Sequence, residues 1–594
     1  MSDRWVVTMA VCAALGALRP SPLPLWLGIA LVAGAFLVRR PEVLCLGTLV
    51  LVSVLAARSL TGLDGVVAEA LAGEVTLLSD PLPTLGGVRA DVRSGSRRLE
   101  LRAEGPTAVA MRDRLAGERI VIRGEVQPTP PDTPWLTARH IAGRLRVYAV
   151  ESWRPGGSFT RVANGLRRTL EVGAAPLTPV QRSLYTGLVI GDDRAQPAEM
   201  ADDFQGAGLT HLLAVSGQNV AFALALAGPL LRRVRLWSRL ALTLGVIGMF
   251  GLMTRFEPSV LRAAAMAGLA TTLLVLGGPV SRVRVLALAI TALLVVDPLL
   301  IRSVGFQLST GATTAIIVLG PRLVDALPGP LMLREALSVT VAAQLGVAPV
   351  LLATFGPLPV ASFPANLLAV PAAGPLMVWG LTGGLAAGVV GGRVAALLHV
   401  PSRVLLTWVG EVARQASALP LGTLQAGHLV ALALGLVIAT KRRRWGIGIA
   451  AASVAVAVIS AQAPASLRSD LAPGVVRWHH ESTDVVVLGG IGGRTVMGAS
   501  STLAALREEG VRTIAALVVA DRSISPHLIV SVETRHRVGT ILLAPGVDRP
   551  DFVDVRAAVV IAPRQPAVVD IGALEVHLTP TPERLVVEAI GSSR

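Results

Sequence analysis

The densest run of polar side chains inside an apolar stretch is Gly206-Ala-Gly-Leu-Thr-His-Leu-Leu-Ala-Val-Ser-Gly-Gln-Asn-Val220, which opens a segment that stays apolar to Leu231. A segment of this length can cross a bilayer as a helix, which takes about 20 residues. Thr210, His211, Ser216, Gln218 and Asn219 crowd its start. In hydrocarbon each such group needs a partner or a water-filled cavity. Gly206, Gly208 and Gly217 permit a bent backbone or a close helix approach. The chemistry on offer is hydrogen bonding, along a polar path or at a helix–helix joint.

Polar groups recur in the apolar segments that follow: Arg262, Arg302, Gln307, Ser309, Thr310, Thr313, Gln344 and Asn366. Arg262 comes just after Glu257-Pro258-Ser259, at the start of a span, where snorkelling to the interface accounts for it equally well. Gln307, Gln344 and Asn366 serve as interhelical hydrogen-bonding groups or as the lining of a pore. Pro349, Pro364, Pro371 and Pro375 imply kinked or broken helices, as in transport paths where freed backbone groups face water. No span holds a matched pair of carboxylates suited to a proton relay.

The elements that position these groups are membrane helices. Of 594 residues 52% are hydrophobic and only 16% charged, a composition that points to a polytopic membrane protein with soluble parts. Spans are expected at 5–18, 23–38, 43–60, 209–231, 240–254, 258–277, 283–296, 301–320, 335–355, 363–389, 395–415, 424–440 and 445–462, with 395–415 lying in the interface as the alternative. The net charge of +15 is uneven: 24 basic residues face 11 acids over 153–464, but 12 arginines face 12 acids over 61–152 and 13 face 14 over 465–594. The excess sits in short loops such as Arg232-Arg233-Val234-Arg235, Arg282 with Arg284, and Lys441 to Arg444, where the positive-inside rule explains it without a polyanionic ligand. Span parity then leaves residues 61–152 and the C-terminal domain together on the outer side. Cys12 and Cys45 lie in apolar runs and suggest neither a disulfide framework nor a metal site.

Residues 1–60 are read as N-terminal transmembrane helices and 61–152 as a β domain. Short β-rich stretches at 73–78, 88–92, 97–102, 119–127, 136–140 and 145–150 suggest a small, OB-like barrel. Its aromatics are few (Trp135, Tyr148 and Trp153), so a structural or gating role is as well supported as nucleic-acid binding. Residues 153–208 form a connecting segment, with an amphipathic helix at 158–175. Residues 209–464 are the polytopic part. Residues 465–594 give an α/β pattern, with strands at 485–488, 495–498, 515–520, 540–543, 557–561, 567–571 and 585–589 and a helix at 501–509. The glycine-rich run 489–493 joins two strands as a hairpin and opens no helix, so it is no dinucleotide or P-loop fingerprint.

Together the motifs resemble the ComEC family of competence proteins, inner-membrane channels for DNA uptake. The carrying residues are Gly208-Leu209-Thr-His211 through Ser216-Gly217, Val260-Leu261-Arg262-Ala263 through Met266, Asp297-Pro298 with Gly305-Phe306-Gln307-Leu308-Ser309, and Phe355-Gly356 with Ala365-Asn366 through Pro371. The resemblance implies a multi-pass channel of the cytoplasmic membrane that passes single-stranded DNA, with a DNA-receptor protein and a cytoplasmic helicase or motor as partners; homo-oligomerisation is left open. On this resemblance plus chemistry, His211, Ser216, Gln218, Asn219, Arg262, Arg302, Gln307, Ser309, Gln344 and Asn366 are the expected DNA-path residues. Where many relatives have Leu-His, this chain has Gln218-Asn219, amides in place of an imidazole. In many relatives the C-terminal domain resembles a metallo-β-lactamase fold with an H-x-H-x-D-H motif. Here the strand 515–520 is followed by Asp521-Arg-Ser-Ile-Ser-Pro-His527, and His479, His480, His536 and His577 form no recognisable ligand set. A degenerate domain without catalytic metal or other cofactor is therefore expected, and no enzymatic activity. A membrane-anchored hydrolase and a small-solute transporter are the rival readings.

Overall fold

The computed structural model describes the chain outside residues 1, 64–65, 85–86, 130–132, 214, 278–280, 420, 440–451, 457–467, 473, 481–482, 490–501, 504, 507–508, 510, 512, 521–523, 525, 545–556, 562–564, 582–584 and 592–594. The chain divides into two compact units. One comprises Met1–Pro197, Asp203–Leu419 and Thr423–Ala457; the other comprises Ala198–Asp202, Pro420–Gly422 and Val458–Arg594.

The first unit opens with helices α1 (Asp3–Leu18), α2 (Leu25–Val38) and α3 (Pro41–Thr61). Strands β1 (Glu69–Leu77), β2 (Leu82–Thr84), β3 (Gly87–Ser94), β4 (Arg97–Glu104), β5 (Arg119–Pro128) and β6 (Ile141–Arg154) follow, with α4 (Gly105–Arg112) between β4 and β5 and α5 (Pro134–Ala138) before β6. They form a six-stranded sheet in the order β1-β5-β6-β4-β3-β2, with β4 and β6 parallel. The expected small barrel is not a closed one: β1 meets β3 over only two residue pairs, Thr76 with Arg93 and Leu77 with Val92. A cavity of about 240 Å³ opens beyond them, lined by residues that include Glu69, Leu71, Ser94, Arg97 and Val126. Val75, Leu77, Val88, Ala90, Val92, Leu99, Leu101, Ile120, Ile122 and Leu145 fill the inner face, at every second position as a half-buried strand requires. The strand expected at 136–140 is a correction: Pro134 stands at the first turn of α5, where its fixed φ favours a helix start.

The helical part follows: α6 (Ser158–Gly173), α7 (Pro179–Ile190), α8 (Ala198–Gly206), α9 (Thr210–Leu213), α10 (Gly217–Leu231), α11 (Leu236–Met253), α12 (Pro258–Val275), α13 (Arg282–Val296), a 3₁₀ turn (Pro298–Arg302), α14 (Val304–Ala326), α15 (Leu331–Phe355), α16 (Ser362–Val390), α17 (Gly392–Leu398), α18 (Val400–Ala418) and α19 (Ala426–Ala439). Among the described residues six helices, α3, α11, α12, α14, α15 and α16, are long and apolar enough to cross a membrane. The protein is a polytopic helical membrane protein. The segment expected as one span from 209 is broken: Ser216 is extended (φ −99°, ψ 160°) and starts α10, and Gly208 sits at φ +66°, a conformation that favours glycine. The stretch 395–415 is likewise two helices, parted at His399. The expected span 445–462 lies almost wholly outside the described residues.

Small residues set the closest crossings. Gly311 of α14 and Gly346 of α15 each stand against the other's carbonyl, with no room for a Cβ. Gly173 of α6 meets Gly384 and Gly388 of α16 in the same way. Such contacts let helix backbones approach where lipid offers no hydrophobic drive to association. The N-terminal helices join the bundle through Ala13, Ala17 and Val52 packed on Leu294, Leu300 and Phe306.

Two short strands of the first unit, β7 (Leu358–Pro359) and β8 (Thr423–Leu424), pair antiparallel. In the second unit, strands β9 (Arg468–Ala472), β10 (Val475–His480), β11 (Thr483–Leu488), β12 (Thr513–Val519), β13 (Arg537–Leu543) and β14 (Ala558–Ile561) form a sheet whose last four strands run parallel. One face packs on a three-stranded antiparallel sheet, β15 (Ala567–Ile571), β16 (Leu574–Pro580) and β17 (Leu585–Gly591), through Val485, Val487, Ala516, Val518, Leu574, Val576 and Val587. The other face carries Leu506 and α20 (Pro526–Arg535) through Val486, Leu517, Leu528, Ile529 and Val532. Burial on both faces explains the unbroken apolar run near 515–520. Residues 490–493 of the expected hairpin and the expected strand 495–498 lie outside the described residues; of the helix expected at 501–509, Thr502, Leu503, Ala505 and Leu506 are helical.

Candidate functional site

The break before α10 brings three helices together. Ser259, at the start of α12, donates through Oγ to the carbonyl of Val215 at 2.8 Å. Gly217 is packed so tightly there that a Cβ would lie 2.6 Å from a terminal nitrogen of Arg262 and 3.0 Å from the Ser259 carbonyl. Arg262 donates through Nε to Ser309 Oγ on α14 at 2.7 Å and has no carboxylate partner among the described residues. Arg262 is the fifth residue of α12 and Ser309 the sixth of α14, so at 1.5 Å per residue both lie about 6–8 Å inside their helix ends. A guanidinium held there by a neutral hydroxyl keeps its charge available to an anion.

The other expected path residues divide. Ser216 donates to the Asn219 side-chain carbonyl at 3.2 Å, and the Asn219 amide donates to the Leu188 carbonyl at 2.9 Å while buried. Gln307 donates to the Ile301 carbonyl at 2.7 Å. Asn366 is buried and donates to the Ser362 carbonyl, one turn back in its own helix, at 2.7 Å. Asn219 and Gln307 satisfy backbone groups freed by breaks and turns; Asn366 adds a second donor to a carbonyl of its own helix. His211, Gln218 and Arg302 are exposed, and Gln344 is half-buried midway along α15. The structure thus gathers Ser216, Asn219, Arg262 and Ser309 by contact around one broken segment, leaves His211 and Gln218 exposed on that segment, and carries Arg302, Gln307, Gln344 and Asn366 on other elements.

A second polar centre escaped the sequence reading. Arg167 of α6, fully buried, donates to Asp80 at 2.8 Å, to Asp192 at 3.1 Å and to the carbonyls of Ile190 and Met253. Arg255, just past α11, reaches the same Asp80 at 2.7 and 3.1 Å and Asn164 at 2.9 Å. Arg194 pairs with Asp192. The network ties the β1–β2 turn of the sheet to α6, the end of α7 and the end of α11. Burial alone would raise the Asp80 carboxyl, but Arg167 and Arg255 outweigh it and hold it below its ordinary value. Asp192 is likewise held down against burial, by Arg194 and Arg167. The only sequence signal was polarity: Arg167 and Asp192 in apolar surroundings, with no hint that Asp80 would meet them. A smaller tie joins His140, before β6, to Asp297 of the 3₁₀ turn at 2.9 Å.

In the second unit His479 and His480 lie adjacent on β10 (Val475–His480), and His479 binds Asp484 at 2.8 Å. His577 stands 3.6 Å from Glu575. Among the described residues no group of three His, Cys, Asp or Glu side chains converges as a metal set. Asp521 and the His527 side chain lie outside the described residues.

Residues 188–445 match the family model described as competence protein, a region that holds the broken segment and both Arg262 and Ser309. The chain is 24% identical over 309 residues to ComE operon protein 3 of Bacillus subtilis (strain 168), in an alignment that covers 52% of this chain and 39% of that protein. The chain therefore aligns with about two-fifths of the length of this curated relative. No solved structure matches. The family match and this relative make the central region of the chain similar to competence proteins.

Proposed function

We propose that this chain passes single-stranded DNA through the cytoplasmic membrane during natural transformation. The observation that carries the reading is the competence-family match over 188–445, because it covers the broken segment and the unneutralised Arg262. A polyanion must be shielded from hydrocarbon, so its route needs polar walls and a few cations. Arg262 and Arg302 would contact phosphates; His211, Gln218, Ser309 and Gln344 would line the route. Asn219, Gln307 and Asn366 would hold its walls through their backbone bonds.

Two finer readings go with it. The sheet domain reads as OB-like: the β1–β3 contact, the parallel β4–β6 pair and the helix between β4 and β5 support that. The C-terminal unit reads as a degenerate metallo-β-lactamase-like fold, supported by two sheets packed face to face with a helix on the outer side of one. The energy for transport would come from a cytoplasmic motor, and delivery from a DNA receptor.

Uptake of labelled DNA into a protease-resistant cytoplasmic pool tests the reading. A deletion strain is expected to lose uptake, and restoring Arg262→Ala in place of the wild type is expected to restore little of it at equal protein level. Uptake that survives deletion would overturn the proposal; loss of a small solute's uptake alone would favour the transporter reading.

A further inference from the structure

The outer face of the sheet carries arginines in cross-strand register. Arg89 of β3 pairs with Arg102 of β4, and Arg102 pairs with Arg146 of β6. One step along, Asp91, Glu100 and Arg144 stand opposite one another. Like charges placed directly opposite destabilise a sheet, so three arginines in a row need compensation. The acids nearby supply part of it, chiefly to Arg102, which donates twice to Glu100. Asp91 is engaged by both arms of Arg139. Glu100 is 1% exposed and receives Arg102 at 3.1 Å, with Arg144 only at 3.8 Å. Glu104 lies 3.8 Å from Arg146. The Nε atoms of Arg89 and Arg144 are buried and have no hydrogen-bond partner among the described residues. Burial, and then the charge of Arg102 and Arg89, push the Arg144 guanidinium below its ordinary value. The face therefore holds two guanidinium groups whose Nε donors are unpaired among the described residues, Arg144 having only a long ion pair with Glu100.

An exposed ring completes the arrangement. Tyr148 follows Arg146 by two residues on β6, so it projects from the same face. It is 56% exposed, its hydroxyl is fixed on Glu125 at 2.8 Å, and the Arg146 guanidinium lies 6.0 Å from its ring centre. Guanidinium forks grip phosphate through two parallel hydrogen bonds, and an aromatic face beside them stacks a base of any kind. A lipid headgroup would meet the arginines equally well but gives the ring no base to stack.

We propose that Arg89, Arg144 and Arg102, with Arg146 and Tyr148 beside them, form a phosphate-binding site for the backbone of single-stranded DNA on the outer face of the sheet. The inference rests on the transport reading and deepens it. His140 and Asp297 join the start of β6 to the 3₁₀ turn that ends in exposed Arg302. That contact sets the start of β6 beside the turn that carries Arg302.

The test uses the full-length protein in nanodiscs of zwitterionic lipid and a fluorescent oligothymidylate, with affinity read as anisotropy across a salt series. Arg89→Gln/Arg144→Gln is expected to weaken binding at least about tenfold and to flatten the salt slope by about 1.4, two contacts at about 0.7 each. Arg97→Gln/Arg119→Gln removes the same charge from residues paired with Glu69 and Glu74 and is expected to change neither. Arg89→Lys/Arg144→Lys keeps the charge without the forks and should fall between. Unaltered affinity and slope in the Gln double variant, with the wild type binding well, would overturn this site and leave the transport reading standing. A wild type that binds no oligonucleotide, in a strain whose uptake survives deletion, would sink both. A Gln double variant that loses binding only to vesicles containing anionic phosphatidylglycerol would assign the face to lipid and overturn the proposal.

Discussion

Arg167 and Asp80 lie 87 positions apart in the chain and 2.8 Å apart in the structure, one on a helix of the bundle and the other on a turn of the sheet. Asp80 also receives Arg255, so a single carboxylate joins three elements. Removing one partner of a buried pair leaves an uncompensated charge, which costs about 3–5 kcal/mol. Asp80→Ala should therefore lower the thermal unfolding midpoint strongly and loosen the sheet, read as faster proteolysis between α3 and β1. Glu69→Ala removes a pair about half exposed on both sides and should change the midpoint little, because solvent already screens it.

The same network gives an acid limit with a definite sign. Asp80 and Asp192 have folded-state values below the ordinary 3.8. The stability they contribute is complete above that value and is lost as pH falls through the folded values. Glu171 and Asp193 are raised, chiefly by burial. They act oppositely, favouring the folded state as they take up protons above the ordinary carboxylate range. Moderate acidification should leave the sheet docked, and release should begin only below about pH 4. Tryptophan fluorescence and proteolysis across pH 7 to 2 measure this. In Asp80→Asn the release should become shallower; a wild-type release centred near pH 6 would contradict the assignment.

Helix crossings offer a contrast between glycines. A Cβ on Gly311 would run into the Gly346 carbonyl, whereas Gly245 on α11 has nothing within 4 Å of its Cβ position. Gly311→Val should destabilise by about 1–3 kcal/mol through overpacking, with α14 and α15 pushed apart. Gly245→Val should be close to neutral. Unfolding midpoints in detergent, with protein levels in membranes, give the comparison.

Much of the architecture was legible because hydrocarbon imposes a simple rule. A helix that crosses it must be apolar for about 20 residues, and α11, α12, α15 and α16 lie close to their expected segments. The sheet strands were readable from alternation, apart from the stretch where Pro134 starts a helix. The break between α9 and α10 was not, because Leu212, Leu213 and Val215 keep the stretch apolar while the backbone turns. Residue type also left open which polar groups stay available: Gln218 and Asn219 are neighbours, yet one is exposed and the other buried on a carbonyl. The Asp80–Arg167 pair was invisible for the same reason, since nothing local to Asp80 names a partner 87 residues away.

That division among the amides yields the sharpest test of the proposed path. Asn219, Gln307 and Asn366 each donate to a backbone carbonyl. Truncating Asn219 or Gln307 leaves the carbonyl without its donor and costs about 1–3 kcal/mol, whereas the Ser362 carbonyl under Asn366 keeps its helical N–H. Asn219→Ala and Gln307→Ala should therefore reduce the amount of folded protein in the membrane, with uptake per folded molecule nearly retained, and Asn366→Ala should do so less. Gln218 and His211 are exposed beside the same break, so His211→Ala and Gln218→Ala should keep protein level and thermal midpoint while lowering uptake per molecule. Arg262 should behave as both: it braces Ser309 at 2.7 Å and supplies the charge. Arg262→Lys, which keeps charge without the fork, should restore part of the uptake that Arg262→Ala loses, whereas Ser309→Ala, which leaves the charge in place, should lose little. DNA uptake normalised to quantified membrane protein separates these outcomes. If Gln218→Ala and His211→Ala transport as well as the wild type while Asn219→Ala folds normally and does not, the route runs along the buried side of α10 instead.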